Sequence, residues 1–184
     1  MKILGIDPGT ATTGYGIIQT NKIDQYTLLD YGLVSTSKEL PHGKRLELIF
    51  DGITEIILKY QPDVIAIERL FFATNALTAI TVGQAIGVIK LAIHKQHLDA
   101  FDYTPMQVKL YVGGSGKADK KIMKQTVKKL LKIHDNKVNE IKDGLHTLRK
   151  GNKTHYDDVA DALALAMCHA KKVFSPVVKN GTGK

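Results

Sequence analysis

The run VIAI (64–67) is too short for a helix and apolar at every position, which leaves a strand covered on both faces. Such a strand needs helices above and below it, so the chain is constrained to a layered α/β arrangement. ILGI (3–6) is apolar in the same way, and strands buried on both faces sit centrally in a sheet. The two are therefore expected to be neighbours.

Around these strands the remaining patterns fall into place. TGYGIIQT and YTLLDYGLVS follow ILGI within the first 35 residues, and their short connections predict antiparallel pairing. A helix is predicted from about Gly43 to Tyr60, where Leu46, Ile49, Ile53, Ile56 and Ile57 recur at helical spacing and Gln61-Pro62 closes it. Residues 75–97 predict a second long helix, with Leu77, Ile80, Gln84, Val88 and Leu91 along one line. AFDY (100–103) predicts a brief strand, after which Thr104 and Pro105 supply the cap and first turn of a helix reaching about Tyr111.

The loop GGSGK separates that helix from one predicted over Ala118 to Ile133, with Ile122, Val127, Leu130 and Leu131 inward and its lysines mostly outward. A last helix, about Tyr156 to Lys172, is rich in Ala and Leu. Residues 134–154 show weak periodicity and predict a mobile basic loop, and 173–184 a flexible tail. The expectation is one α/β domain over residues 1–172. Its mixed five-stranded sheet has three antiparallel strands, then two parallel additions, with helices on both faces.

Composition narrows the setting. Cys168 is the only cysteine, so no intramolecular disulfide can form, which fits a reducing cytoplasm. No window approaches the roughly 18–20 apolar residues of a membrane span. The formal charge is +8, and residues 109–153 hold 13 Lys/Arg against 4 Asp/Glu. A positive field concentrated in one region favours a polyanion such as nucleic acid.

Against that basic field, a few acids stand out. Asp7 ends ILGID and Glu68 ends VIAIE. Neighbouring central strands would bring these carboxylates together, where repulsion and burial are both costly unless a cation neutralises them. In the last helix Asp158 and Asp161 share a face at a spacing of three; Asp157 and Asp161, four apart, satisfy the geometry equally well. Carboxylates from three elements suit hard divalent ions, and two such ions about 3.5–4 Å apart form the clamp used to hydrolyse phosphodiesters. The chain has no GxxxxGK[ST] loop to cradle a nucleotide, which points to a nuclease.

The blocks GIDPGTATTGYGII, IAIERLFFATNALTAITVGQAIGVI, YTPMQVK, GKADKK and DDVADALALAMCHA resemble, in order, those of the RuvC family of Holliday junction resolvases. The resemblance runs over about residues 1–172, interrupted at 134–154. It implies a ribonuclease H-like fold and a homodimer that binds four-way junction DNA in homologous recombination and DNA repair. Such a dimer nicks two opposed strands symmetrically and leaves 5′-phosphates. It also implies two Mg²⁺ per subunit, replaceable by Mn²⁺, and RuvA and RuvB as branch-migration partners.

The family's four catalytic, metal-holding acids fall on Asp7, Glu68, Asp158 and Asp161, because its D-x-x-D-A-L block selects the last two and leaves Asp157 as a neighbour. Lys120 in ADKK is expected to stabilise charge on the phosphate, and Lys109 in QVK to bind DNA. Lys117, Lys121 and Lys124 are expected to extend the DNA-binding surface, and Phe71, after IER, to stack on a base at the opened crossover. Many family members have an arginine where this chain has Ile86. IDPGTATTG also resembles the phosphate-binding hairpin of the actin, Hsp70 and sugar-kinase superfamily, but those proteins need a second domain and a second hairpin, for which this chain has no room. Pro8 and Gly9 are expected to end the first strand and clear space for a DNA backbone.

Overall fold

In the computed structural model, which describes residues 1–69, 76–133, 140–143, 147–150 and 153–175, the two apolar runs are indeed adjacent. The strands are β1 (Lys2–Asp7), β2 (Thr12–Lys22), β3 (Gln25–Ser35), β4 (Val64–Glu68), β5 (Ala100–Tyr103), β6 (Glu140–Asp143) and β7 (Thr147–Lys150). Among the described residues they form one sheet in the order β5-β4-β1-β2-β3-β6-β7. β1 pairs antiparallel with β2 and parallel with β4, and β4 pairs parallel with β5. The five expected strands and their directions are present.

The sheet is nevertheless longer than the sequence reading allowed. β6 and β7 lie within the segment expected as a mobile loop, antiparallel to each other, and β6 pairs parallel with β3 through Gly32 and Leu33. This pairing occupies backbone groups on what would otherwise be an open edge. The signal for it is the Asp143-Gly144 step between the short runs EIKD and TLRK, a hairpin cue weakened by the low apolar content of both runs.

Strand alternation sorts the core into two layers. Leu4 and Ile6 of β1 and Ile65 and Ile67 of β4 face α1 (His42–Tyr60) and α2 (Ala76–Lys95), meeting Ile49, Ile53, Ile56, Ala85, Ile89 and Ile93. Ile3, Val64 and Ala66 face the other way, onto α3 (Pro105–Gly113), α4 (Lys120–Leu131) and α5 (Lys153–Phe174). By the same period of two, Asp7 follows Ile3 and Gly5, and Glu68 follows Val64 and Ala66. Both acids thus belong to the α5 side of the sheet.

Two helix faces differ from expectation. On α2 the buried residues are Ala85, Ile89, Ala92 and Ile93, whereas Ile80 and Leu91 of the expected line are exposed. Small alanines admit α1 closely on that side, so size decides the face where hydrophobicity alone does not. On α4, Met123 is buried with Val127 and Leu131, and Ile122 is exposed. Asp119 caps this helix by accepting from the Ile122 N–H (2.8 Å), which fixes the start of α4. α5 also runs on to Phe174, into the expected tail, of which residues 176–184 lie outside the described residues.

α5 is the element that completes the site, and glycines let it approach. A Cβ on Gly5 would stand 1.9 Å from the Ala162 carbonyl oxygen, and one on Gly14 would stand 2.3 Å from that of Asp158. The helix therefore rests directly on the backbone of β1 and β2. Like-charged acids on one helix face cost a few tenths of a kcal/mol per pair, against about 1.5–3 kcal/mol for each large apolar side chain fully buried. Val159, Leu163 and Met167 are all at 0% exposure, so packing outweighs the repulsion between Asp158 and Asp161. Cys168 is buried among the same apolar residues, and burial pushes its thiol up to about 12, in keeping with a small core hydrophobe.

Candidate active site

β1 and β4 end together because their register runs Ile3 with Val64 through Ile6 with Ile67. The next residues are Asp7 and Glu68, whose carboxyls stand close enough to interact directly. Burial first, then Glu68, and then Asp161 and Asp158 hold the Asp7 carboxyl well above the usual carboxylate range. From α5, Asp161 reaches the same region. Burial pushes its carboxyl up to about 6, with Lys120 opposing the rise and Glu68, Asp157 and Asp158 adding to it. Asp158 accepts a hydrogen bond from the Thr12 hydroxyl, Oγ1 to Oδ2, at 2.8 Å.

The same sites collect two of the expected lysines. A cleft of about 250 Å³ is lined by Glu68, Asp161, Lys109, Lys120, Pro105, Val108, Met123 and Leu165. Lys120 Nζ lies 3.8 Å from Asp161 Oδ2 and 3.3 Å from Asp157 Oδ2. Lys109 also borders a neighbouring groove of about 720 Å³ shared with Lys117, Met106 and Gly116. Acids from three elements and cations from α3 and α4 thus meet at one end of the sheet.

Other expected residues fall elsewhere. Lys121 is exposed at the start of α4 and lines neither cleft. Lys124, expected on the DNA-binding surface, has a side chain only 20% exposed and is paired with Asp157. Its one-turn offset from Lys120 turns it toward α5, so its ammonium is committed within the protein. Phe71 lies outside the described residues. Of the two acids that spacing also allowed as a pair, Asp157 is turned to the two lysines, whereas Asp161 lines the cleft with Glu68. Gly9 has a local task, since a Cβ there would stand 2.3 Å from the Thr12 carbonyl oxygen. The turn itself therefore requires this glycine, whatever approaches from outside.

Thr12 is the residue that sequence reasoning missed. Its only cue is its place in the threonine-rich turn TATT after Asp7, and nothing local reveals a partner 146 positions away. Its neighbour Thr13 faces inward and donates to the Gly9 carbonyl at 2.8 Å, bracing the turn.

Among the described residues, no three His, Cys, Asp or Glu side chains are gathered closely enough to enclose an ion as they stand. Repulsion explains the spread: Asp158 is engaged by Thr12, and Asp161 lies toward Lys120. The donor chemistry still fits a hard divalent cation, since all four groups offer carboxylate oxygens. Burial first, and then neighbouring acids, raise the Asp7 and Asp161 carboxyls, a cost of ionisation that such a cation would offset.

A mixed sheet with helices on both faces, and acids from β1, β4 and α5 at one end, defines a ribonuclease H-like domain of the junction-resolving nucleases. The model of the RuvC family, crossover junction endodeoxyribonuclease, matches residues 3–169, and the chain belongs to that family. The crossover junction endodeoxyribonuclease RuvC of Caldicellulosiruptor saccharolyticus is 46% identical over 169 residues, covering 92% of each chain. Among solved structures, RuvC of T. thermophilus in complex with a Holliday junction substrate superposes with a TM-score of 0.80 at 28% identity, covering 95% of each chain. The yeast mitochondrial Holliday junction resolvase Ydc2, with a TM-score of 0.66, 14% identity and coverage of 92% of this chain and 77% of its own, shares the fold.

Proposed function

We propose that this chain resolves four-way DNA junctions as a homodimer, each subunit hydrolysing one phosphodiester in one of two opposed strands and leaving a 5′-phosphate. The reading is carried by one observation: Glu68 and Asp161 share a cleft with Lys109 and Lys120, and Asp7 interacts directly with Glu68. Acids that hold cations and lysines that hold phosphate are what phosphodiester hydrolysis needs side by side. The T. thermophilus relative, bound to a Holliday junction, supports the choice of substrate.

Asp7, Glu68, Asp158 and Asp161 are the residues to hold divalent cations, two Mg²⁺ per subunit with Mn²⁺ as a substitute. When bound, these ions supply an activated water and steady the leaving oxygen. Lys120, beside Asp161, offers its ammonium to the charge that develops on the phosphate. Lys109 binds the strand entering the cleft, and Lys117 and Lys121 hold neighbouring phosphates. Phe71, three residues beyond Glu68, stacks on a base freed at the crossover. Thr12 fixes the Asp158 carboxylate through its hydroxyl. RuvA and RuvB are the expected partners, and the cytoplasm the expected setting.

The experiment compares synthetic four-way junctions, forks and DNA–RNA hybrid duplexes as substrates, with Mg²⁺ and with Mn²⁺. Preferential paired nicking of the junction is expected. Faster cleavage of the hybrid, or no metal-dependent nicking of any junction, would reject the proposal.

A further inference from the structure

Lys120 is the first residue of α4, where the helix dipole opposes a positive charge, and its side chain is 58% exposed. A lysine in that position has several rotatable bonds and little to hold it. Its nearest anion is Asp157 Oδ2, at 3.3 Å, closer than Asp161 at 3.8 Å. The other Asp157 oxygen is taken by Lys124, one turn further along α4. Asp157 is half-buried, at 18% exposure, between the two helices. It therefore sits as a fixed anion bridging two cations of α4.

We propose that Asp157 is a positioning residue: braced by Lys124, it holds the Lys120 ammonium at the mouth of the cleft, facing Asp161 and the place of the scissile phosphate. The inference rests on the reading of Lys120 given above. Asp161 cannot perform this task while its oxygens serve a cation, whereas Asp157 is paired with Lys120 and Lys124 through its two oxygens.

The test is a double-mutant cycle on the full chain, read by single-turnover nicking of a four-way junction at saturating protein, with junction affinity and the half-maximal Mg²⁺ concentration measured alongside. Asp157→Asn is expected to slow nicking roughly tenfold or more, the scale of a misplaced reacting group, with junction affinity and the Mg²⁺ midpoint unchanged. In a Lys120→Gln background the same substitution should add nothing, because its effect passes through Lys120. A merely structural bond between α4 and α5 would instead give the same factor in both backgrounds, and a ligand role would move the Mg²⁺ midpoint. Either result overturns the inference, as does an unchanged rate.

A second readout needs neither metal nor DNA. With lysines reductively methylated with ¹³C, the Lys120 signal should move toward that of a free lysine in Asp157→Asn. An unmoved signal would contradict the bridge. If Asp157→Asn fails to fold, Lys124→Gln, which removes the brace from the other side, should slow nicking in the wild-type background and not in Lys120→Gln. Nicking by the unsubstituted chain is the control: its absence would reject the function itself, while its presence with an additive cycle would reject only the role of Asp157.

Discussion

Asp7 and Glu68 stand side by side at the ends of two parallel strands, kept in step by the pairing of Ile6 with Ile67, and their carboxyls are close enough for each to disfavour the charge of the other. Their proximity follows from the fold, since each ends a strand buried on both faces and each falls on the α5 side of the sheet. Without a cation, the site therefore stores unfavourable charge.

That charge makes stability depend on pH in a definite direction. Asp161 is pushed up to about 6 from an ordinary 3.8, so between those values the folded chain binds a proton that the unfolded chain has lost. Stability is thus full at low pH and falls as pH rises through about 6. Asp161 is 39% exposed, so screening reduces the size of the effect but not its sign. In metal-free protein, Asp161→Asn should melt near the wild-type temperature at about pH 4 and above it at about pH 8. Added Mg²⁺ should raise the wild-type melting temperature more at the higher pH. A wild-type advantage at the higher pH without metal would contradict the cost of ionising the buried Asp161 carboxyl.

The glycines under α5 give a second prediction. Gly5→Ala places a Cβ 1.9 Å from the Ala162 carbonyl oxygen, a contact that backbone must yield to relieve. Overpacking of this kind costs about 1–3 kcal/mol or more, to be read by denaturant unfolding. Gly14→Ala meets the Asp158 carbonyl at 2.3 Å and should in addition slow nicking in the protein that does fold. Wild-type stability for both would mean that α5 is not seated as described.

Thr12 offers a milder perturbation. Thr12→Val removes the hydroxyl that donates to Asp158 while keeping its shape, and should slow nicking about tenfold, the scale of a hydrogen bond to a charged group. Thr12→Ser should retain most of the rate. Equal loss in both variants would assign Thr12 to packing instead.

The basic surface divides into free and committed lysines. Lys121 is exposed, so Lys121→Gln should weaken junction binding and make its dependence on log salt concentration shallower by about one phosphate contact. Lys124→Gln should leave that slope alone, because its ammonium is already paired with Asp157. Equal slopes for the two variants would contradict this division.

The legible parts of the fold were those with strong local patterns. VIAI and ILGI could only be central strands, and as neighbours they bring their terminal acids, Asp7 and Glu68, together. Thr104-Pro105 announced α3, whose Thr104 and Gln107 form a reciprocal cap. What stayed hidden depended on long-range packing: the alanine-lined face of α2, the choice of Met123 over Ile122, and the β6–β7 extension of β3. In the site, spacing could not choose between Asp157 and Asp158. Resemblance to the family chose Asp158, and Asp157 is instead paired with Lys120 and Lys124. Thr12 could not be found from sequence at all, because its partner lies on α5.

The account makes carboxylates responsible for cutting and the basic surface responsible for holding. The most direct measurement follows each labelled strand of a four-way junction with wild-type protein and with Asp7→Asn, while a gel-shift assay follows binding. The wild type should give paired nicks at symmetric positions in two opposed strands, sealable by ligase, and Asp7→Asn should bind the junction with similar affinity yet leave every strand intact. Cleavage by Asp7→Asn at the wild-type rate, or loss of binding together with cleavage, would contradict the account.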